Sequence, residues 1–170
     1  SDPETTLMEL LKADIATGGK DSGSQMLGFA MNEADIETIL AWPHSVVSSD
    51  GDLWGVHPRG FGTFTRFLGH YVRERGVVGL EESVRKITSL PARDVGITER
   101  GSIREGYYAD LVLFDPGSVI DRATTAAPHE PSAGIERVWV NGQLVFDGGS
   151  ITGKRPGAVI RRPASSRSMD

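Results

Sequence analysis

The sequence predicts an α/β segment followed by a small all-β segment. Over residues 1–92, short apolar runs alternate with stretches of helical periodicity, which is the pattern of βα units with parallel strands. From about residue 98 the texture changes to short strands, and Asn141-Gly142 between two of them suits a two-residue type I′ hairpin turn. Glycine is abundant, 21 of 170 residues, as many turns and close backbone approaches require.

Leu7, Leu10, Leu11 and Ile15 recur at helical spacing and predict a helix over 5–15, with Asp2-Pro3 as its start signal. Residues 18–24 (GKDSGS within them) read as a loop, and QMLGFAM (25–31) as a buried strand. NEADIETILAW (32–42) predicts a helix capped by Asn32, with Asp35 three residues on to meet the helix dipole. Pro43 ends it, and 45–50 (SVVSSD) reads as a second buried strand. A long glycine-rich loop, 48–64, leads into a helix from about Thr63 to Arg75 with Gly76 as its cap. LEESVRKITSL (80–90) predicts another helix, stopped by Pro91.

In the second part, ADLVLFD (109–115) reads as a buried strand, 116–134 as an irregular connection, and 135–149 as the hairpin. The tail reads as extended and then frayed. Two βα units close neither a barrel nor a doubly wound sheet, and four strands leave edges unpaired. The expectation is therefore a chain that is the end of something longer.

Composition excludes several classes. With 38% hydrophobic and 24% charged residues, the chain reads as an ordinary soluble globular protein. The absence of cysteine excludes a disulfide scaffold and thiolate metal ligands from this chain. A net charge of −5 without a basic stripe argues against nucleic acid as a partner. No apolar run approaches the roughly 18 residues of a membrane span, and no signal-peptide core opens the sequence. The expectation is a cytoplasmic protein without membrane contact.

Asp50 is the sharpest chemical candidate. It ends the apolar SVV run, and Gly51 permits an abrupt turn; in a (β/α) barrel that end of a strand carries the active site. A carboxylate there binds a metal or acts as a general base, whereas the bland alternative is an ordinary Asp-Gly turn. In GVHPRGFG, the Arg59 guanidinium suits a substrate carboxylate. His57 reads equally as a ligand, a proton shuttle or a hydrogen-bonded loop residue. His70 reads as a helical histidine without chemistry, His44 and His129 as turn residues beside prolines, and Trp42, Trp54 and Trp139 as packing residues. No H-x-H, no H-E-x-x-H, no nucleophile elbow, no phosphate loop and no compact set of histidines and carboxylates is present. This chain alone assembles no catalytic zinc site.

The stretches MLGFAMNEADIETIL, VVSSDG, HPRGFGTF, RFLGHYVRE, LEESVRKITSLPAR, GSIREGYYADLVLFDP, IERVWVNGQLVFDGG and TGKRPGAVIRR, from about 26 to 162, resemble the C-terminal segment of N-acyl-D-amino-acid deacylases of the amidohydrolase superfamily. The ADLV and VNG elements are widespread among amidohydrolases; the combination SDG, HPR, GTF and R-x-LG-x-YVRE selects the deacylases.

The resemblance implies a metal-bearing (β/α)8 barrel with a small β-sandwich built from both chain ends. Residues 1–92 would be its last barrel units, 93–162 the C-terminal strands of the sandwich, and 163–170 a flexible tail. It implies zinc, an N-acyl-D-amino acid as substrate, Asp50 as general base and then acid and as a candidate metal ligand, and Arg59 and His57 at the substrate. The family's other metal ligands have no counterpart in this chain. Two alternatives accompany it: another amidohydrolase resembling dihydroorotase or dihydropyrimidinase, or a fragment active only when a second chain supplies the N-terminal barrel and its ligands.

Overall fold

A computed structural model describes residues 2–16, 31–52 and 55–161. The chain divides into two units, 1–31 and 32–170.

The first unit holds helix α1, Pro3–Ala16. Asp2 starts it as expected: Oδ1 accepts from the backbone N–H groups of Glu4 at 3.0 Å and Thr5 at 3.2 Å. Pro3 takes the first helical position, where its missing N–H costs nothing. The strand expected over 25–31 lies outside the described residues, Met31 apart, as does the 18–24 loop.

In the second unit, α2 (Glu33–Ala41) follows its predicted cap, Asn32 Oδ1 accepting from the Asp35 N–H at 3.0 Å. Helix α3 (Arg59–Arg66) starts four residues before the expected Thr63 and runs on as a π-helical segment, Phe67–Glu74. The wide turns are visible in the bond from the Arg75 N–H back to the His70 carbonyl, 2.9 Å. Helix α4 (Leu80–Ile87) ends at Thr88, and α5 (Ser89–Asp94) follows at once. Pro91 therefore does not stop a helix. It sits in the first turn of α5, where a proline removes no intrahelical bond.

The expected strand over 45–50 does not form. Those residues join no ladder among the described residues, and Val46 is 42% exposed. The apolar SVV run lies outside any helix, but a strand exists only where a neighbour takes up its backbone groups. The described part of 1–92 is thus helices joined by extended chain, without the parallel strands that the alternation predicts.

The second part matches its expectation more closely. Strands β1 (Leu111–Phe114), β2 (Ile135–Val140), β3 (Gln143–Asp147) and β4 (Ser150–Ile151) form one antiparallel sheet in sequence order. The turn between β2 and β3 has Asn141 at φ +47° and Gly142 at φ +75°, the left-handed pair that a type I′ turn demands. β1 was expected to be buried. It is an edge strand instead, paired only with β2 among the described residues, and Val112 is 55% and Leu113 43% exposed.

The core lies where the π-helical segment meets the irregular connection. Phe67, Leu68 and Tyr71 are buried there, with Val119 and Ala123 from the connection and Leu90 from α5. The helix comes so close that a methyl on Gly69 would stand 2.4 Å from the Val119 carbonyl oxygen. Arg73 Nη1 donates to that same oxygen at 2.6 Å and to the Pro116 carbonyl at 3.3 Å.

A polar latch fastens the hairpin turn to the chain before and after it. Asp110 Oδ1 accepts the Asn141 N–H at 2.8 Å, and Arg100 pairs with Asp110 while donating to Asn141 Oδ1 at 2.7 Å. The Arg100 guanidinium lies 4.0 Å over the Tyr108 ring, and Asn141 Nδ2 donates to the Pro156 carbonyl at 2.7 Å. Burial works against the Asp110 charge, but the Asn141 N–H and Arg100 outweigh it and hold the carboxyl below its usual range. A depressed carboxyl stabilises the fold above its unfolded value, about 3.9, and that contribution disappears as pH falls through the folded value. Urea denaturation should accordingly lose stability between about pH 4 and the acid limit of the fold, and Asp110→Asn should flatten that part of the curve. A variant curve of the same slope would remove the latch from the acid response.

Candidate functional site

The extended run 45–50 ends in a turn that demands special backbone. Asp50 has φ +44°, a left-handed conformation that aspartate tolerates better than most residues. A methyl on Gly51 would stand 2.5 Å from the Gly60 Cα, and one on Gly60 would stand 2.8 Å from the Asp52 carbonyl oxygen. The turn therefore lies backbone to backbone on the first residues of α3. The Gly51 N–H donates to Ser49 Oγ at 3.2 Å.

Helix α3 begins with the HPR sequence for local reasons. Pro58, at φ −55°, is already helical, and the Arg59 N–H donates to His57 Nδ1 at 3.0 Å. One of the orphan donors of the first turn is thereby satisfied by the histidine ring. With Nδ1 accepting, the neutral ring carries its proton on Nε2. Arg59 then reaches back to the turn, with Nη2 3.0 Å from Asp50 Oδ2. The structure thus brings together the three residues the sequence singled out: Asp50 and Arg59 in an ion pair, His57 as the support beneath Arg59.

That ion pair is open to solvent, the Asp50 side chain 84% and the Arg59 side chain 46% exposed. Pairs of this kind contribute about 0–1 kcal/mol, so either partner is free to exchange it for a ligand at little cost. Arg59 and Ser49 also line a cleft of about 590 Å³ with Phe64, Val138, Phe146 and Lys154.

His129 was read as a turn residue, and the structure carries it to this loop. Its Nε2–H donates to the Gly55 carbonyl at 3.0 Å, and its ring centroid lies 5.1 Å from that of Phe61. Ser132 joins it, hydrogen-bonded to Thr65 at 2.6 Å and donating to the Phe61 carbonyl at 3.0 Å. These contacts span about seventy residues, and no local pattern announces them. His70 is partnered by Glu74 at 3.1 Å and Glu33 at 3.7 Å, and His44 packs edge-on to Trp42. Trp42 itself is 58% exposed, so it does not serve as a core packing residue, and Trp54 lies outside the described residues.

Among the described residues no three histidines, aspartates, glutamates or cysteines come together in a way that could hold a metal ion. The donors among the described residues do not make up a zinc site, and Asp50 supplies at most one ligand to one. What the arrangement offers is an exposed carboxylate beside a guanidinium, both on strained or capped backbone.

Gly60→Ala should drive the turn and α3 apart, costing about 1–3 kcal/mol in urea denaturation. Gly55→Ala is the control, since its methyl would meet the Asp52 carbonyl oxygen at an ordinary 3.6 Å. Equal effects of the two would show that the Gly51–Gly60 approach holds nothing.

Comparison with known proteins gives a consistent set of relatives. The profile of the Amidohydrolase family matches residues 16–146. N-acyl-D-aspartate deacylase of Alcaligenes xylosoxydans xylosoxydans is 48% identical over 134 residues, 78% of this chain and 27% of the relative. D-aminoacylase of the same organism is 45% identical over 139 residues, 81% of this chain and 29% of the relative. A crystal structure of D-aminoacylase superposes with a TM-score of 0.72 at 48% identity, over 74% of this chain and 27% of the other. N-acyl-D-glutamate deacylase from Bordetella bronchiseptica, solved with zinc and a phosphonate mimic of the reaction's tetrahedral intermediate, gives a TM-score of 0.66 at 46% identity, over 71% of this chain and 27% of the other. The chain thus spans less than a third of the length of the relatives it matches.

Proposed function

The chain belongs to the amidohydrolase family, and on that premise we propose that it works as the C-terminal part of a longer N-acyl-D-amino-acid deacylase. In this reading residues 1–92 are the last units of a (β/α)8 barrel, 93–162 the C-terminal strands of a small β-sandwich, and 163–170 a tail. The observation that carries it is the Asp50–Arg59 pair, 3.0 Å apart on a turn and a helix start that touch backbone to backbone. A deacylase acting on an N-acyl amino acid needs a base at the scissile amide and a cation at the free carboxylate, and this pair is one of each.

Arg59 binds the substrate carboxylate through two parallel N–H bonds, which fix its orientation. Taking that carboxylate, Arg59 releases Asp50 from an ion pair of small worth. The freed Asp50 carboxylate accepts a proton from the water that attacks the scissile carbonyl carbon. It then delivers that proton to the amine nitrogen as the C–N bond breaks, leaving a carboxylate and the free D-amino acid. His57 keeps the first turn of α3 in place beneath Arg59. The zinc of the Bordetella bronchiseptica relative has no complete ligand set among the described residues; in this reading its ligands belong to the rest of the longer protein.

The test is kinetic, in the longer protein, with zinc content measured beside turnover. Asp50→Asn should lower kcat about 10³-fold or more while metal stays bound; turnover within about tenfold of wild type would sink the assignment of the base. Arg59→Lys should raise KM about tenfold with a smaller change in kcat, because a point charge cannot make the paired contact. An unchanged KM would take Arg59 out of the carboxylate site.

A further inference from the structure

In the proposed reading the base, Asp50, and the clamp, Arg59, stand at the two ends of one loop, 51–58, so a substrate held by both lies against that loop. Each end is fixed close to home: Gly51 packs on Gly60, and the His57 ring accepts the Arg59 N–H at 3.0 Å. Between them lies Gly55, which has no side chain to anchor it and the widest backbone freedom of any residue. A single residue, Val56, separates it from the corner that Pro58 and the His57 ring stiffen.

The Gly55 carbonyl is taken by a residue 74 positions away: His129 Nε2–H donates to it at 3.0 Å, and the His129 ring lies 5.1 Å from the Phe61 ring, tilted by 48°. His129 is not a free arm. Three residues on, Ser132 bonds to Thr65 at 2.6 Å and donates to the Phe61 carbonyl at 3.0 Å. Earlier in the same connection, Asp121 pairs with Arg66 at 3.5 Å, and a methyl on Gly62 would stand 2.9 Å from its Cβ. The connection therefore grips α3 at Phe61, Gly62, Thr65 and Arg66, and from that grip His129 reaches the loop ahead of the helix. The Ser132 and Asp121 contacts end on α3 itself; the His129 bond acts on the loop. Donor, acceptor and anchors all belong to this chain, so the arrangement does not depend on what a longer polypeptide places around it.

We propose that His129 is a positioning residue for the substrate loop: by holding the Gly55 carbonyl it keeps residues 55–58, and with them the His57 support of Arg59, where a substrate carboxylate is received. The all-β part of the chain thereby serves substrate binding without touching substrate. This rests on the proposed function only for the role of Arg59 as the carboxylate clamp.

The experiment compares H129F, which keeps a ring on Phe61 but has no N–H, with H129Q, whose amide N–H has about the reach of the imidazole, in the longer protein. H129F should raise KM for an N-acyl-D-amino acid about three- to tenfold with kcat within about twofold, since the loop binds and does not react. In the same variant, amide hydrogen exchange over 55–61, followed by mass spectrometry, should speed by about fivefold or more while the β2–β3 hairpin stays within about twofold. H129Q should bring both readouts back to within about twofold of wild type. Unchanged exchange over 55–61 in H129F overturns the proposal, as does an unchanged KM while Arg59→Lys still raises it. A fall in kcat as large as the rise in KM, equal loosening of the hairpin, or an H129Q that behaves as H129F overturns it too. Should H129F fail to fold, H129N, whose shorter amide stops short of Gly55, must give the same rise in KM and exchange, and its failure to do so counts equally against the histidine. The two readings fail separately: an unchanged KM in Arg59→Lys removes the clamp and leaves exchange over 55–61 to decide His129, whereas unaltered exchange in H129F sinks the histidine alone.

Discussion

Val119 is the point on which the molecule turns. It is 1% exposed, with the π-helical segment on one side and its carbonyl taken by Arg73. Gly69 leaves no room for even a methyl against it. Within the second unit this contact packs the π-helical segment on the connection 116–134, which has only the isolated bridge of Ile120 and Ala133 as regular structure. Packing of this density does not slide. The start of α3 is thereby carried at a set place relative to the connection, and the connection in turn brings His129 and Ser132 back to the loop that bears Arg59.

How much was legible in the sequence follows from the range of the forces involved. The Asn32 cap, the Asp2-Pro3 start and the Asn141-Gly142 turn were readable because each is a contract between neighbours a few residues apart. The beginning of α3 at Arg59 was missed because Pro58 and the His57 ring together start a helix where glycines argued for a loop. The π-helical widening has no composition signature. The 45–50 strand failed for the opposite reason, in that its residues favour extended backbone but the strand is a property of two partners. Burial of β1 failed likewise, since apolar composition states what a strand wants and not what covers it.

The candidate site divides along the same line. Asp50, His57 and Arg59 were found one by one from residue type and local turn chemistry, and a family resemblance assigned them roles. That Asp50 and Arg59 meet, and that His57 supports Arg59, depends on two glycines nine positions apart whose backbones touch. The full burial of Lys86 likewise has no source in α4 itself, because only the fold creates it.

The outer edge of β1 has a wider consequence. Val112 and Leu113 are exposed on a strand whose outer side pairs with no other strand among the described residues, and neither a proline nor a charge interrupts Leu111–Phe114. Such an edge is adhesive. In the longer protein proposed above, that edge is the place at which a further strand would join the sheet, so the free border of β1 is a seam between this segment and the remainder.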